Sequence, residues 1–188
     1  MTALWSSFLV VALAEMGDKT QLVALSLSSR YRRPWLVMGG ILVATVLNHA
    51  LASTLGAWVA GMVPVPVLAW VLGVSFIAFG VWTLFPDRAG ETAEGRGWGP
   101  LLTTVVVFFL AEMGDKTQLA TVALAARYHT ALTVTIGSTM GMLAADGLAV
   151  FAGARLARLV DMRYVRWLAA ALFFAFGAAA ILDASGLL

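Results

Sequence analysis

Two short segments combine acidic, basic and amide side chains within long apolar stretches. The first runs from Leu13 to Leu22 as Leu-Ala-Glu-Met-Gly-Asp-Lys-Thr-Gln-Leu, and the second repeats it at all ten positions from Leu110 to Leu119. In each copy the glutamate precedes the aspartate by three residues, so a continuous helix would present both carboxylates on one face. Their oxygens could bind a hard cation there. The candidate metal ligands are the acidic and amide residues of the two copies: Glu15, Asp18, Gln21, Glu112, Asp115 and Gln118.

The charges of the two segments do not balance. Lys19 and Lys116 each follow a glutamate by four residues, which is the favourable order for an ion pair within a helix. The four motif acids and Asp146 outnumber these two lysines, which leaves a formal charge of −3 (five acids against two lysines) if all are ionised. A divalent cation together with one proton would neutralise that charge. Because each buried carboxylate costs several kcal/mol in a bilayer, these acids require a compensating role.

The residue types favour Mn²⁺, Ca²⁺ or Mg²⁺ over Zn²⁺ or Cu⁺, since the chain has no cysteine and only two histidines. Met16 and Met113 could add a thioether that prefers Mn²⁺ to Ca²⁺, although methionine beside a helical site more commonly packs. Gly17 and Gly114 weaken the helix and could expose backbone carbonyls to an ion. Close helix packing is the plainer explanation for either glycine.

Further polar residues are candidates for proton coupling or for supporting the site. At an offset of 97 residues His49 aligns with Asp146, and Asn48 precedes His49. All three residues lie in the middle of predicted spans. Asp146 is the stronger candidate, because a lone carboxylate at that depth is a ligand or a proton carrier. Histidine titrates near neutral pH, whereas His49 and Asn48 could equally hydrogen-bond neighbouring helices. The full set of coupling or supporting candidates is Lys19, Lys116, Asp146, His49, Asn48, Thr20 and Thr117.

The composition is that of a membrane protein, with 61% hydrophobic and 12% charged residues. We predict an all-α membrane protein, because uncharged runs of about twenty residues suffice to cross the hydrocarbon core. The six predicted helices cover residues 3–28, 35–60, 66–85, 101–126, 131–154 and 164–184. They leave no room for a soluble catalytic or nucleotide-binding domain. The net charge of +2 does not imply nucleic acid, because most arginines lie at predicted helix ends.

The same 97-residue offset divides this single transport domain into repeat 1 (1–86), a linker (87–100) and repeat 2 (101–188). Each repeat contains three predicted spans, so the second should cross the membrane in the opposite orientation and form an inverted repeat. The two motifs would then face each other near the midplane. Nine arginines lie on one predicted side against Arg127 alone on the other. The positive-inside rule therefore places both termini outside the cytoplasm.

The two Glu-x-Gly-Asp-Lys-Thr segments, at Glu15 to Thr20 and Glu112 to Thr117, resemble those of a cation/proton antiporter family first catalogued as uncharacterised protein family sixteen. That family includes Golgi calcium/manganese transporters and bacterial manganese exporters. The resemblance covers nearly the whole chain and implies Mn²⁺ or Ca²⁺ export against protons, with no cofactor. It also implies that the four motif acids bind the ion, in a protein similar to bacterial inner-membrane members. The resemblance leaves undecided whether the protein forms a homo-oligomer in the lipid bilayer.

Three other functions remain to be separated from ion transport. An exporter of a cationic amino acid could have similar architecture. An intramembrane aspartyl protease is suggested by Gly17-Asp18, but the neighbouring lysines and glutamates argue against it. A salt-bridge network could simply hold the two halves of a structural subunit together, yet two copies with more acid than base favour an ion site.

Overall fold

The computed structural model describes residues 1–85, 98–157 and 162–185, without the side chains of residues 153–157 and 162. The predicted linker therefore lies outside the described residues except for its last three. The described part of the chain is helical and contains no strand. Its helices are α1 (Thr2–Glu15), α2 (Lys19–Tyr31), α3 (Pro34–Ala60), α4 (Val65–Leu84), α5 (Gly99–Glu112), α6 (Lys116–Tyr128), α7 (Ala131–Ala157) and α8 (Met162–Ala184).

Within the described ranges, four helices are long and apolar enough to cross a membrane, and all four were predicted. They are α3, α4, α7 and α8, with apolar spans at Pro34–Ala60, Val65–Leu84, Ala131–Ala152 and Arg163–Ala184. Pro34 occupies the start of α3, where its missing N–H costs no hydrogen bond. The prediction of an all-α membrane protein is therefore confirmed.

The two predicted helices that carry the motifs are not continuous, so the expected spans at 3–28 and 101–126 are wrong as single helices. The first stops at Glu15 and restarts at Lys19, and the second stops at Glu112 and restarts at Lys116. Gly17 and Gly114 adopt left-handed backbone angles, with φ of 81° and 78°. A side chain at Gly114 would meet nothing within 4 Å. Backbone conformation, and not close packing, therefore explains Gly114.

The helices of the two halves pack against each other in contacts that occur twice. The helix α1 packs against α7, and its counterpart α5 packs against α3. Tyr128 donates a hydrogen bond to Ser6, 3.0 Å away, and Tyr31 donates one to Thr103 at 3.2 Å. Both residues of the second pair lie 97 positions from those of the first. The alignment of the two halves is thus reproduced by their packing.

Two apolar clusters form the core. The first, which we call the α4/α8 cluster, joins α4 and α8 to α1 and α6, and its members include Leu68, Leu72, Phe76, Phe173, Val10, Ala14, Ala123 and Leu124. The second, the α2/α5 cluster, joins α2 and α5 to α3 and α7, and its members include Val23, Ala24, Leu27, Ile41, Phe108 and Val150. Among the described residues the second cluster contains none from α4 or α8. The α4 and α8 pair therefore packs mainly against α1 and α6.

Candidate ion-binding site

The helix breaks have their own hydrogen bonds. Asp18 precedes α2 and accepts a hydrogen bond from the backbone N–H of Lys19 at 2.8 Å, as a capping aspartate does. The Gly17 N–H donates to the Gln21 side-chain oxygen at 3.0 Å, and the Gly114 N–H donates to that of Gln118 at 2.7 Å. Both predicted amide ligands thus already use their oxygen atoms to stabilise the breaks.

The lysines pair across the two halves. The Lys19 Nζ lies 3.3 Å from Asp115 Oδ1, and the Lys116 Nζ lies 3.2 Å from Asp18 Oδ1. The predicted ion pairs within each motif, from glutamate to the lysine four residues later, are therefore wrong. The prediction that the glutamate and aspartate of each motif share one helical face is also wrong, because a break in the helix separates the two residues. Each motif neutralises the aspartate of the other.

The two motif glutamates are both buried but have different partners. The Glu15 carboxylate accepts hydrogen bonds from Thr20 of its own motif and from Thr117 of the other motif, the latter at 2.9 Å. Both carboxylate oxygens of Glu112 lack a hydrogen-bond partner among the described residues. Uncompensated burial of a carboxylate is costly, so Glu112 is the motif acid most in need of a proton or a cation.

Amide groups connect the motifs to α3 and α7. The Gln118 side-chain nitrogen donates to the Asn48 side-chain oxygen at 3.3 Å, and Asn48 donates to the Phe109 carbonyl at 3.1 Å. In the other half Gln21 donates to the Ala145 carbonyl at 3.0 Å. Asn48 thus contacts a predicted ligand. The carbonyls of Ala145 and Phe109 were not predicted, because an apolar residue type gives no sign that its backbone accepts a hydrogen bond.

His49 and Asp146 are fully buried, in line with their predicted depth. Neither side chain has a hydrogen-bond partner among the described residues. Asp146 is close enough to Glu112 to interact with it electrostatically, as are Glu15 and Asp115. Asp146 thus interacts electrostatically with both motif glutamates.

The arrangement is a buried, acid-rich centre at the ends of four half-length helices. The C-terminal ends of α1 and α5 bring backbone carbonyls there, and carbonyls at helix ends attract cations. Within the described ranges, no three histidine or acidic side chains lie close enough together to enclose a metal ion.

Comparison with known proteins identifies a family of transporters. The model of the family described as divalent cation/proton antiporter GDT1 matches residues 3–91 and 100–187. A Vibrio cholerae protein named "Putative manganese exporter" is 44% identical over 92% of this chain and 87% of its own length. A GDT1-like protein of Synechocystis is 29% identical over 94% of this chain and 95% of its own length.

A more distant relative, GDT1-like protein 3 of Arabidopsis thaliana, is 28% identical over 93% of this chain and 68% of its own length. No solved structure matches the chain. The family consists of transporters, so the expectation that the protein is not an enzyme is confirmed. The family match covers both halves, and each matched half contains one complete motif. The chain therefore belongs to the divalent cation/proton antiporter family GDT1.

Proposed function

We propose that this antiporter exports Mn²⁺ in exchange for protons, with Ca²⁺ as the alternative cation. The family membership supports cation/proton exchange, and the name of the Vibrio cholerae relative supports Mn²⁺. The carboxylate-rich centre without cysteine fits both ions. The observation that carries the proposal is the buried Glu112 carboxylate, which interacts with other acids but has no hydrogen-bond partner among the described residues.

In this proposal the protein crosses the membrane six times. The interrupted pairs α1–α2 and α5–α6 each form one span, and the two halves are inverted repeats related by an axis in the membrane plane. The doubled contacts between the halves support this arrangement. The arginine distribution places both termini outside the cytoplasm of a bacterial inner membrane. The side of the membrane that carries Arg30 is then cytoplasmic.

The proposed ligands are Glu15, Asp18, Glu112 and Asp115, with Gln21 and Gln118 holding the breaks and completing the shell. Asp146 adds a fifth acid close to Glu112. Cation and protons compete for these carboxylates, because a protonated carboxylate is a poor ligand for a metal ion. The lysines are the counterions of the two motif aspartates.

Transport then follows alternating access around this centre. Expelling a divalent cation against a potential of ~100 mV costs about 4.6 kcal/mol, at about 2.3 kcal/mol per charge. Exchange for two protons would be electroneutral and would avoid this cost. Exchange for one proton would move net charge.

Flux measurements in proteoliposomes test the proposal. A pH gradient should drive Mn²⁺ flux, and Glu112→Gln or Glu15→Gln should abolish it, since each removes a proposed charge. Asp183→Asn is the matched control, because this acid is exposed at the end of α8 and lies outside the motifs. Undiminished flux in both glutamate variants would contradict the assignment. Competition by Ca²⁺ and by lysine at a fixed gradient distinguishes the cation from a cationic amino acid.

A further inference from the structure

The helices that follow the two motifs are alike in position but differ in polarity. Beyond the shared segment, α2 continues as Val-Ala-Leu-Ser-Leu-Ser-Ser and α6 continues as Ala-Thr-Val-Ala-Leu-Ala-Ala. Ser26 and Ser29 therefore correspond to Ala123 and Ala126 at the 97-residue offset. Each of these two serines carries a hydroxyl group that the corresponding alanine lacks.

These equivalent positions also differ in exposure. Ala123 and Ala126 are 6% and 3% exposed, whereas Ser26 and Ser29 both lie on the surface of the protein. The lysines at the start of the same helices differ in the same direction. The Lys19 side chain is 27% exposed and that of Lys116 only 4%.

The exposed positions of α2 lie on one face. Ser26 and Arg30 are exposed and four residues apart, and the partly exposed Lys19 lies seven residues before Ser26, so all three fall within one stripe of a helix that Ser29 borders. Leu22 is the apolar member of this face. The opposite side of α2 is attached to α7, where Ser28 donates to the Val150 carbonyl at 3.1 Å. The polar stripe thus runs from the Lys19–Asp115 ion pair to the arginine end of α2.

The neighbouring helices explain why only one of the two equivalent faces is open. Ala123 and Ala126 belong to the α4/α8 cluster, and α6 packs directly against α4. The equivalent contact for α2 would be with α8. Among the described residues α2 and α8 make at most marginal contact, and the α2/α5 cluster contains no residue of α8.

A lipid-facing surface in this protein has a different composition. From residue 42 to residue 51 of α3 the exposed side chains are all apolar, and Thr54 is the first exposed polar residue after them; they are Leu42, Val43, Val46, Leu47 and Leu51. Hydroxyl and charged groups are better solvated by water than by hydrocarbon. The exposed stripe of α2 therefore fits an aqueous path better than a lipid boundary.

We propose that Ser26 and Ser29 line the water-filled path through which the cation reaches the motifs from the Arg30 side of the membrane. This inference rests on the proposed transport function. It implies that the described conformation is open on the Arg30 side of the membrane. In the opposite conformation the serine face packs against α8, as the alanine face of α6 now packs against α4. The alanine face then lines the path on the other side.

The natural chain has no cysteine, so single cysteines can report on this path directly. Ser26→Cys and Ser29→Cys change a hydroxyl to a thiol of similar size. Ala123→Cys and Ala126→Cys are the matched controls in the other half, and Leu47→Cys is the lipid-facing control. Each variant is labelled in membrane vesicles of known orientation with a cationic, membrane-impermeant methanethiosulfonate.

We expect Ser26→Cys and Ser29→Cys to be labelled at least tenfold faster than Leu47→Cys, and only from the Arg30 side. Ala123→Cys and Ala126→Cys should resist reagent added from that side. Labelling of the serine positions no faster than Leu47→Cys would overturn the proposal, as would equally fast labelling of both alanine positions from the Arg30 side.

A second background separates this inference from the proposed function. Labelling is repeated with Glu112→Gln present, where Mn²⁺ flux is expected to be lost. Fast labelling at Ser26→Cys in that background supports the path independently of transport. Slow labelling at both serine positions overturns the path even if the flux results support cation exchange.

Discussion

The two copies of the motif are identical over ten residues, yet their environments differ. Glu15 accepts hydrogen bonds from threonines of both motifs, whereas Glu112 has no such partner among the described residues. The residues facing the motifs account for part of this difference, since Asn48 and His49 of α3 correspond to Ala145 and Asp146 of α7. The two motifs therefore have different surroundings despite their identical sequence.

The largest expected effect concerns the two ion pairs. Lys116→Met leaves a buried aspartate without this counterion and should reduce the free energy of unfolding by about 3–5 kcal/mol. Lys19→Met should cost less, because the Lys19 side chain is partly exposed and water already screens its pair. Thermal unfolding in detergent compares the two variants. Adding Asp18→Asn to Lys116→Met should restore part of the lost free energy of unfolding. Equal losses in Lys116→Met and Lys19→Met would contradict the expected difference between the two ion pairs.

Thr117→Val should leave the Glu15 carboxylate with fewer hydrogen-bond donors and thus more similar to the Glu112 carboxylate. The change keeps the shape of the side chain but removes the hydrogen bond to the Glu15 carboxylate, which is worth about 1.5–3 kcal/mol for a charged acceptor. Mn²⁺ flux and unfolding are measured for this variant. Thr121→Val is the control, because its hydroxyl donates only to the Thr117 backbone carbonyl in the same helix. If both variants behave alike, the bond between the halves has no special role.

Gly114→Ala tests whether the helix breaks matter. An L-residue at a φ of 78° is strained by about 1–2 kcal/mol, and no neighbouring atom would obstruct the added methyl group. We expect reduced flux with protein that still folds. Gly39→Ala is the control, because that glycine lies within the helix α3 and its added methyl would make an ordinary contact with Leu101. Normal flux for Gly114→Ala would show that the break tolerates a side chain.

The smallest effect is expected at the methionines. Met113 is 55% exposed, so Met113→Leu should leave the ratio of Mn²⁺ to Ca²⁺ flux unchanged within about twofold. Met16→Leu is tested in the same metal panel at a fixed pH gradient. A loss of Mn²⁺ preference in either variant would assign its thioether to the ion.

Four apolar spans were predictable, because they depend on hydropathy along the chain. The correspondence of the two halves rests on residue identity at the 97-residue offset. The partners of Lys19 were not predictable. The rule for residues four apart assumes an unbroken helix, and the break between Glu15 and Lys19 removes that condition. Gly17 suggested a break but was equally compatible with close packing. Its left-handed conformation depends on a hydrogen-bond network that sequence alone does not specify.

The neighbours of the site could be predicted only in part. Asp146 stood out because a carboxylate at that depth is costly, and the structure places it close to Glu112. The residue type of Ala145 gave no sign that its backbone carbonyl accepts a hydrogen bond. Whether the predicted acids bind the ion stays a prediction until the flux measurements are made.

The crossed ion pairs also bear on how such a chain could arise. Because Lys19 finds its carboxylate at Asp115, one half made alone would lack the counterion for its own lysine. Two copies of the same half could supply each other, since the paired segments are identical. A half of this kind would thus need a second copy to pair its lysine. Joining the two halves in one chain sets their ratio at one to one and lets them differ, as they do at Ser26 and Ala123.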